Sequence, residues 1–338
     1  MRRTMLASLP AAAVLALALP TTAGAQTTFS ISVNTGADHI RNITLRKFIE
    51  QLSAATDGEL VGELFENGQL YSGRDVPRAV ARGDVDMGVP ATVYLGSFEP
   101  NWAVLDLPIY SALASEDFFG IVDGEIGQTV VEATEERLGV EIPGRWLLLG
   151  ATHTFGSGEP IDSLAALEGR RIRIPGGAAI IAAYSALGAD AVTISFGDLP
   201  VALSQGTVDG VGTTHETIRS GQLWEAGLTS VYENNMQTLF YVPMVSESFW
   251  NGLSEDQQAI FADTWDSLVD EQRAEAQRRQ SEAADINEEN GIVRYQPSPE
   301  EKQRAGELLA PTVDGLVEEL DIDPDLAAAA RAAVDGLQ

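Results

Sequence analysis

A fifteen-residue segment occurs twice in this chain, 123 residues apart, and it constrains the fold more than any other feature. The first copy, "SGRDVPRAVARGDVD", covers residues 72–86, and the second, "SFGDLPVALSQGTVD", covers residues 195–209, with seven identical positions. In both copies an Asp precedes a short helix with Pro in its first turn, and a Gly ends that helix before a strand. The sequence therefore predicts two copies of one supersecondary unit.

The flanking segments extend each copy to a complete βαβαβ unit. Before the first copy, "FSISVN" alternates as a strand, a helix is predicted from Ile40 to Ala55, and "ELVGELF" is a second strand. Before the second copy, "RIRIP" is a strand, a helix is predicted from Ala178 to Leu187, and "AVTIS" follows as a strand. This order of elements favours a parallel sheet covered by helices in each of two lobes.

The loops that follow the parallel strands form the predicted binding cleft. Ligands of open α/β sheets bind beyond the carboxyl ends of the strands. The first lobe contributes residues 35–39, 66–70 and 90–94, and the second contributes 175–177, the stretch around Phe196 and 213–216. The candidate ligand contacts in these loops are His39, Thr92, Tyr94, Gly176, Phe196, Thr213, His215 and Glu216.

Three arginines lie close together in "GRRIRIPGG", residues 169–177. Arg173 is at the carboxyl end of its strand, directly before Pro-Gly-Gly and a helix start, whereas Arg171 lies one pleat further from the cleft and Arg170 precedes the strand. A guanidinium beside a helix N-terminus suits a carboxylate, because the fork binds it bidentately and the free amides favour negative charge. An exposed basic edge strand is the alternative. The position favours an anion-binding role for Arg173.

The charge and composition of the chain exclude several classes of function. The 50 acidic residues outnumber the 21 basic ones, for a net charge of −29, which argues against nucleic acid and anionic lipid as partners. An anion site must therefore be a local positive pocket. There are no cysteines, and the three histidines, which include His153, lack metal-ligand spacing. Neither a catalytic site nor a cofactor or metal is predicted, and "FGSG" at 155–158 is expected to cross flexibly between the lobes.

Two further segments of the sequence have recognisable patterns. Residues 1–25 have two arginines, an apolar stretch from Leu6 to Leu19 and small residues, which is typical of an export signal cleaved after about Ala25. A capping box at Ser254 and Gln257 begins a helical run to about Asn290. So long a helix is expected to run along both lobes.

These motifs in this order resemble the DctP-type solute-binding proteins of tripartite ATP-independent periplasmic (TRAP) transporters. The similarity rests on "FENGQL" with "GDVDMG", on "LDLPI" at 105–109, on "PIDSLAALEGRRIRIP" at 160–175 and on "FGDLPVALSQGTVDG" at 196–210. It implies a two-lobed α/β fold like that of periplasmic binding proteins, with a long helix bracing both lobes. The implied domains are lobe I at 26–150 with a return segment at about 239–278, lobe II at 151–238 with one at about 279–306, and C-terminal helices at 307–338.

The resemblance also implies a function: a periplasmic protein captures a small organic acid by lobe closure and delivers it to a membrane permease. Arg173 matches the family arginine that pairs with the ligand carboxylate, and Phe196 matches an aromatic residue lining the pocket. His153 takes the place of a second arginine that many members carry, and Thr213 that of an asparagine. Because a fixed positive charge is lost, a hydroxylated monocarboxylate or sugar acid is favoured over a dicarboxylate.

Two other functions remain open at this point. A protein that presents a ligand to a membrane receptor would use the same fold and cleft, and a permease gene beside this one would favour transport. A periplasmic lyase or hydrolase on the same scaffold is the weaker alternative, and an assay for turnover would distinguish it from a binder.

Overall fold

The computed structural model describes residues 26–110 and 113–337, so the predicted export signal lies outside the described residues. The strands are β1 (Thr27–Ser32), β2 (Leu60–Phe65), β3 (Met87–Gly88), β4 (Val140–Glu141), β5 (Leu147–Ala151), β6 (His153–Ser157), β7 (Arg171–Ile174), β8 (Asp190–Thr193), β9 (Gly210–Thr213), β10 (Leu228–Tyr232), β11 (Thr238–Tyr241), β12 (Met244–Ser246) and β13 (Val293–Tyr295). The α-helices are α1 (Ile40–Ala55), α2 (Val76–Ala81), α3 (Asp117–Val122), α4 (Glu125–Leu138), α5 (Ala178–Ala186), α6 (Leu199–Ser204), α7 (His215–Gly221), α8 (Glu247–Trp250), α9 (Glu255–Glu289), α10 (Pro299–Leu309), α11 (Thr312–Glu319) and α12 (Pro324–Asp335).

Two sheets form the centres of the two lobes, and the repeat builds both. The lobe I sheet has the order β2-β1-β3-β12-β4, and β1 pairs in parallel with β2 and β3. The lobe II sheet has the order β13-β10-β6-β9-β7-β8, and β7 pairs in parallel with β8 and β9. In each lobe the first strand of the repeat therefore lies between the second and the third. The predicted two-lobed α/β fold is confirmed.

The matched aspartates at the end of the repeat have the same structural role in both lobes. Asp86 accepts hydrogen bonds from the backbone N–H and the hydroxyl of Ser30, at 2.7 and 2.8 Å. Asp209 accepts from the backbone N–H and the Nε of Arg171, at 2.9 and 3.0 Å. Each carboxylate thus fastens the third strand of its unit to the first.

The aspartates that begin the repeat helices differ in one detail from the expectation. Asp75 and Asp198 occupy the N-cap positions of α2 and α6, but neither side chain accepts a helix N–H. Each carboxylate instead accepts the hydroxyl hydrogen of the serine three residues earlier, Ser72 at 2.6 Å and Ser195 at 2.5 Å. The serine is part of the repeat, so this turn is preserved in both copies.

Helix α9 braces both lobes, as the resemblance implied. It begins at the capping box of Ser254 and Gln257, and it contacts α1 of lobe I and α7 of lobe II. Its first half buries Phe261 and Trp265 among the aromatic residues of lobe I. No helix in the described ranges is both long enough and apolar enough to cross a bilayer.

A two-stranded antiparallel sheet, β5 with β11, connects the lobes. The backbone of Thr152 bonds to Gln237 at 2.8 Å, and the chain then enters the lobe II sheet at β6. The stretch "FGSG" therefore does not cross between the lobes. Phe155 and Gly156 lie inside β6, paired to β9 and β10, because the crossing occurs a few residues earlier, at Thr152.

Candidate functional site

A cavity of about 40 Å³ lies at the carboxyl edges of the two parallel sheets, with walls from both lobes. We call it the central cavity. Its lining is aromatic, amide and hydroxyl-bearing with one arginine, and it consists of Asn34, Thr35, Ala91, Tyr94, Leu149, Arg173, Pro175, Phe196, Gly212, Thr213, Thr217, Leu239 and Tyr241. In the described part of the chain no Asp or Glu lines it. Its electrostatics therefore favour an anion.

Arg173 is buried against this cavity with most of its hydrogen-bonding capacity unused. Its side chain is only 2% exposed, and its Nε donates to the carbonyl of Ile194 at 2.8 Å. Nη2 is buried without a partner among the described residues, and Nη1 makes no hydrogen bond there either. Burial lowers the pKa of Arg173 to about 10, so the group stays cationic at neutral pH. A buried charge without a partner is costly, and an anion at the free edge would offset that cost.

The backbone after Arg173 ends its strand and brings lobe II close to lobe I. Pro175 ends β7, since it has no N–H for the ladder, and α5 begins at Ala178. Gly177 has φ of 95°, and a Cβ there would lie 2.6 Å from Cγ2 of Val93 in lobe I. Only glycine allows the two lobes to approach so closely at this point.

Arg41 is a second buried guanidinium beside the central cavity, and it was not among the predicted site residues. It is 1% exposed, its Nη1 donates to the carbonyl of Val89 at 2.8 Å, and its Nη2 donates to Asn34 at 2.8 Å and Thr35 at 2.7 Å. Its guanidinium carbon lies 4.2 Å from the ring centroid of Tyr241. A cation in the first turn of a helix opposes the helix dipole, and that anomaly could have identified it.

Arg74 closes the outer side of the cleft. Its Nη2 donates to the carbonyl of Pro175 at 3.2 Å, so lobe I contacts lobe II directly beside the central cavity. Next to it lies a larger cavity of about 300 Å³, the mouth cavity, whose walls include Arg74, Tyr94, Asp106 and the start of α5. Tyr94 lines both cavities, so they lie against the same side chain.

The structure brings part of the predicted site together. Arg173, Tyr94, Phe196 and Thr213 line the central cavity, and Gly176 lines the mouth cavity. Thr92 lines neither: its hydroxyl lies 3.5 Å from the N–H of Phe240, from which it accepts a hydrogen bond.

His39 lies behind the central cavity as the N-cap of α1. Its Nδ1 accepts from the N–H of Arg41 at 3.2 Å, and its Nε2 lies 3.4 Å from the hydroxyl of Tyr241. Burial, and then the charge of Arg41, lowers the pKa of His39 well below its usual value. The imidazole is therefore neutral, and it links the first turn of α1 to Tyr241.

His153 and His215 also lie outside the central cavity, with ring centroids 5.1 Å apart. His153 Nδ1 accepts from the N–H of Asn235 at 3.3 Å, and burial lowers the pKa of His153 to about 3. His215 Nε2 lies 3.0 Å from Oε1 of Glu233. His153 therefore adds no positive charge to the cleft at neutral pH.

Glu216 is fully buried and joins the lobes on the hinge side. It accepts the N–H of Ile40 at 3.2 Å, Nε of Arg219 at 2.9 Å and Nη1 of Arg279 at 3.2 Å. Both arginines also donate to the carbonyl of Asp38 in lobe I. The carboxylate is thus occupied by protein groups in this arrangement, and its predicted contact with the ligand stays a prediction.

Comparison with known families gives a match over most of the chain. The DctP family model, described as bacterial extracellular solute-binding protein, family 7, matches residues 31–320. A solute-binding protein of Roseobacter denitrificans is 30% identical over 212 residues, which are 63% of this chain and 64% of that protein. The C4-dicarboxylate-binding periplasmic protein DctP of Vibrio cholerae is 25% identical over 309 residues, 90% of each chain.

Solved structures show the same fold. The sugar acid binding protein DctPAm of Advenella mimigardefordensis, in complex with galactonate, superposes with a TM-score of 0.86 at 21% identity, over 93% of this chain and 99% of that one. A TRAP periplasmic solute-binding protein of Sulfurospirillum deleyianum with bound succinate gives a TM-score of 0.82 at 20% identity, over 91% and 99%. At such identities the likeness concerns the fold.

Proposed function

The chain belongs to the DctP family, family 7 of the bacterial extracellular solute-binding proteins, and we propose that it captures a small organic acid between its lobes for a TRAP membrane permease. One observation carries the proposal: among the described residues, the buried guanidinium of Arg173 has a free edge and no carboxylate lines the cavity beside it. Truncating one partner of such a buried, hydrogen-bonded charge pair typically costs about 2–5 kcal/mol of binding free energy. Arg173 alone can therefore supply a large part of the affinity.

The cavity chemistry favours a hydroxylated monocarboxylate or a sugar acid. In the described ranges Arg173 is the only arginine that lines the central cavity. Arg41 already donates to Val89, Asn34 and Thr35, and His153 is neutral, so neither supplies a free positive charge for a second carboxylate. The other polar lining groups are hydroxyls and an amide, which pair with ligand hydroxyls. The Advenella protein binds galactonate, a ligand of this class. The central cavity is small, so all but the smallest ligands would extend into the mouth cavity.

Capture would proceed by rotation of the lobes about the β5–β11 sheet and α9. For this motion we take lobe I as residues 26–150 with the return segment 239–278, and lobe II as 151–238 with 279–306. Closure would bring Arg173 of lobe II against Tyr94 and Asn34 of lobe I. Residues 1–25 would direct export to the periplasm and be removed after about Ala25. The site would bind its ligand without converting it.

A thermal-shift screen of the mature protein tests this function. The panel contains sugar acids, hydroxy acids, keto acids and dicarboxylates, with neutral sugars as controls, after any co-purified ligand is removed by unfolding and refolding. A ligand at one hundred times its dissociation constant adds about 2.7 kcal/mol to the free energy of unfolding, which raises the melting temperature clearly. A shift with acids but not with the matching neutral sugars is expected. No shift with any acid would refute the proposal.

A further inference from the structure

Asp106 is a buried acidic side chain without a hydrogen-bond partner among the described residues. Three acidic residues of the described chain are almost fully buried: Glu99, Asp106 and Glu216. Glu99 pairs with Arg137 at 2.7 Å, and Glu216 with Arg219 at 2.9 Å. Asp106 is 7% exposed and has no such pair among the described residues. Buried carboxyl groups are normally paired or hydrogen-bonded, and the described part of the chain supplies no partner for this one.

The position of Asp106 indicates where that partner would lie. It ends the 3₁₀ helix Pro100–Asp106 in lobe I and lines the mouth cavity. Its Oδ2 lies 3.6 Å from the place that a Cβ on Gly177 would take, so it faces lobe II at the start of α5. It also lines a second cavity of about 450 Å³ on its other side. Its carboxyl group is therefore accessible to a bound molecule although the residue is buried.

Arg173 lines the central cavity and Asp106 lines the mouth cavity, and these two cavities share one wall residue. Tyr94 lines the central cavity and the mouth cavity, and Pro175 and Gly176, adjacent in the chain, line one each. A molecule with its carboxylate on Arg173 would pass Tyr94 and bring its other end into the mouth cavity. There Asp106 would meet either a hydrogen-bond donor, which satisfies it, or a second carboxylate, which it would repel.

We infer that Asp106 accepts a hydrogen bond from a hydroxyl group of the ligand and selects hydroxylated monocarboxylates against the corresponding diacids. The inference rests on the proposed function of the cleft and deepens it, since it assigns a residue to the choice of ligand. The attraction at Arg173 is common to both classes of acid. The discrimination comes from the end of the ligand that lies far from Arg173. There a hydroxylated monocarboxylate has a hydroxyl group that donates to Asp106, whereas a diacid has a second carboxylate.

Galactonate and galactarate form a matched pair of probes, because they differ only by oxidation of the terminal CH₂OH to a carboxylate. Calorimetric titration at pH 8 should give the wild type at least a tenfold preference for galactonate. In Asp106→Asn the side-chain amide accepts a hydroxyl hydrogen but also donates to a carboxylate. The preference should therefore fall at least tenfold. Asp84→Asn, an exposed site, is the charge-matched control and should keep the wild-type ratio.

The dependence on pH is a second readout of the same residue. Burial raises the pKa of Asp106 to about 7, so at pH 6 it is largely protonated and donates to a carboxylate. Galactarate affinity of the wild type should rise several-fold between pH 8 and pH 6, and that of Asp106→Asn should stay constant.

The other titratable or charged groups around Asp106, across its two cavities and within its own segment, are Arg74, Tyr94, Tyr110, His153, Glu233, Glu301 and Lys302. Burial keeps the pKa of His153 at about 3. Burial alone would raise the pKa of Glu233, but hydrogen bonds from His215 and Arg294 hold it at about 2. Neither group therefore changes charge between pH 6 and pH 8.

The outcomes separate this inference from the function it rests on. If both acids bind and the variant keeps the wild-type ratio within threefold, Asp106 does not select the ligand, although the cleft still binds acids. If neither these two probes nor any acid of the wider panel binds the wild type, the proposed function fails and the inference fails with it. The melting temperature of the ligand-free variant, expected to equal or exceed that of the wild type at pH 8, shows that it folds.

Discussion

Arg41 in lobe I and Arg173 in lobe II are both buried guanidinium groups beside the same cavity, and they differ in how their hydrogen bonds are used. Three protein oxygens, on Val89, Asn34 and Thr35, accept from the terminal nitrogens of Arg41. Arg173 donates only through its Nε, to the carbonyl of Ile194, and its terminal nitrogens have no hydrogen-bond partner in the part of the chain that the structure describes. Burial alone therefore does not identify a ligand-binding arginine. The free edge does.

The repeat makes this difference more informative. Arg173 pairs in register with Val211 of β9, and the corresponding pair in lobe I is Ser32 with Gly88. The strand position that carries the arginine in lobe II thus carries a small, buried serine in lobe I. Lobe I supplies its cation from the first turn of α1 instead. The two lobes therefore share a topology but use their buried arginines differently. Arg41 of lobe I holds the cavity walls together, and Arg173 of lobe II faces the cavity.

Replacement of Arg41 should have a large effect on stability. Arg41→Ala leaves the carbonyl of Val89 and the side chains of Asn34 and Thr35 without their donor, and each buried group without a partner costs about 1–3 kcal/mol. We expect the free energy of unfolding, measured by chemical denaturation of the ligand-free protein, to fall by about 3 kcal/mol. The same measurement on Arg173→Ala should show a clearly smaller loss, because only one protein group, the carbonyl of Ile194, loses its donor and an uncompensated buried charge is removed. Equal losses in the two variants would remove the distinction between the two arginines.

Acidification should have a smaller effect on stability, because the buried His153 stays neutral in the folded protein while the unfolded chain takes up a proton there. The pKa of His153 is lowered by burial to about 3, whereas an unfolded histidine takes up its proton near 6.5. Its contribution to stability is therefore complete above pH 6.5 and is lost as the pH falls toward 3. Between pH 6.5 and pH 5 this amounts to about 2 kcal/mol. His153→Asn should lose about that much less stability than the wild type over this interval. Parallel pH profiles of the two proteins would contradict a buried, neutral His153.

Much of the fold could be predicted because its signals are local. The alternation in "FSISVN" and "RIRIP", the glycines after the repeat helices and the capping box at Ser254 each act within a few residues. The helices Ile40–Ala55 and Glu255–Glu289 lie where these signals placed them, and α5 ends at Ala186, one residue before the expected Leu187. The third strands begin at Met87 and Gly210, each four residues after the glycine that follows its repeat helix.

The site could be predicted only where a residue follows directly from the end of a strand. Arg173 and Thr213 are such residues. Arg41 and Asp106 are not, because their burial depends on contacts between segments far apart in the chain, with Tyr241 for the first and with Gly177 for the second. The pairing of β6 places His153 against His215 and outside the central cavity, and its expected contact with the ligand stays a prediction.

Calorimetric titration of Arg173→Ala with the acid that binds the wild type most tightly tests the central claim most directly. Arg171→Ala is the matched control, because its side chain is 45% exposed and pairs with Asp209 away from the central cavity. We predict that Arg173→Ala binds at least one hundredfold more weakly, about 3 kcal/mol, while remaining folded, and that Arg171→Ala binds like the wild type. Retention of wild-type affinity in a folded Arg173→Ala protein would contradict the account.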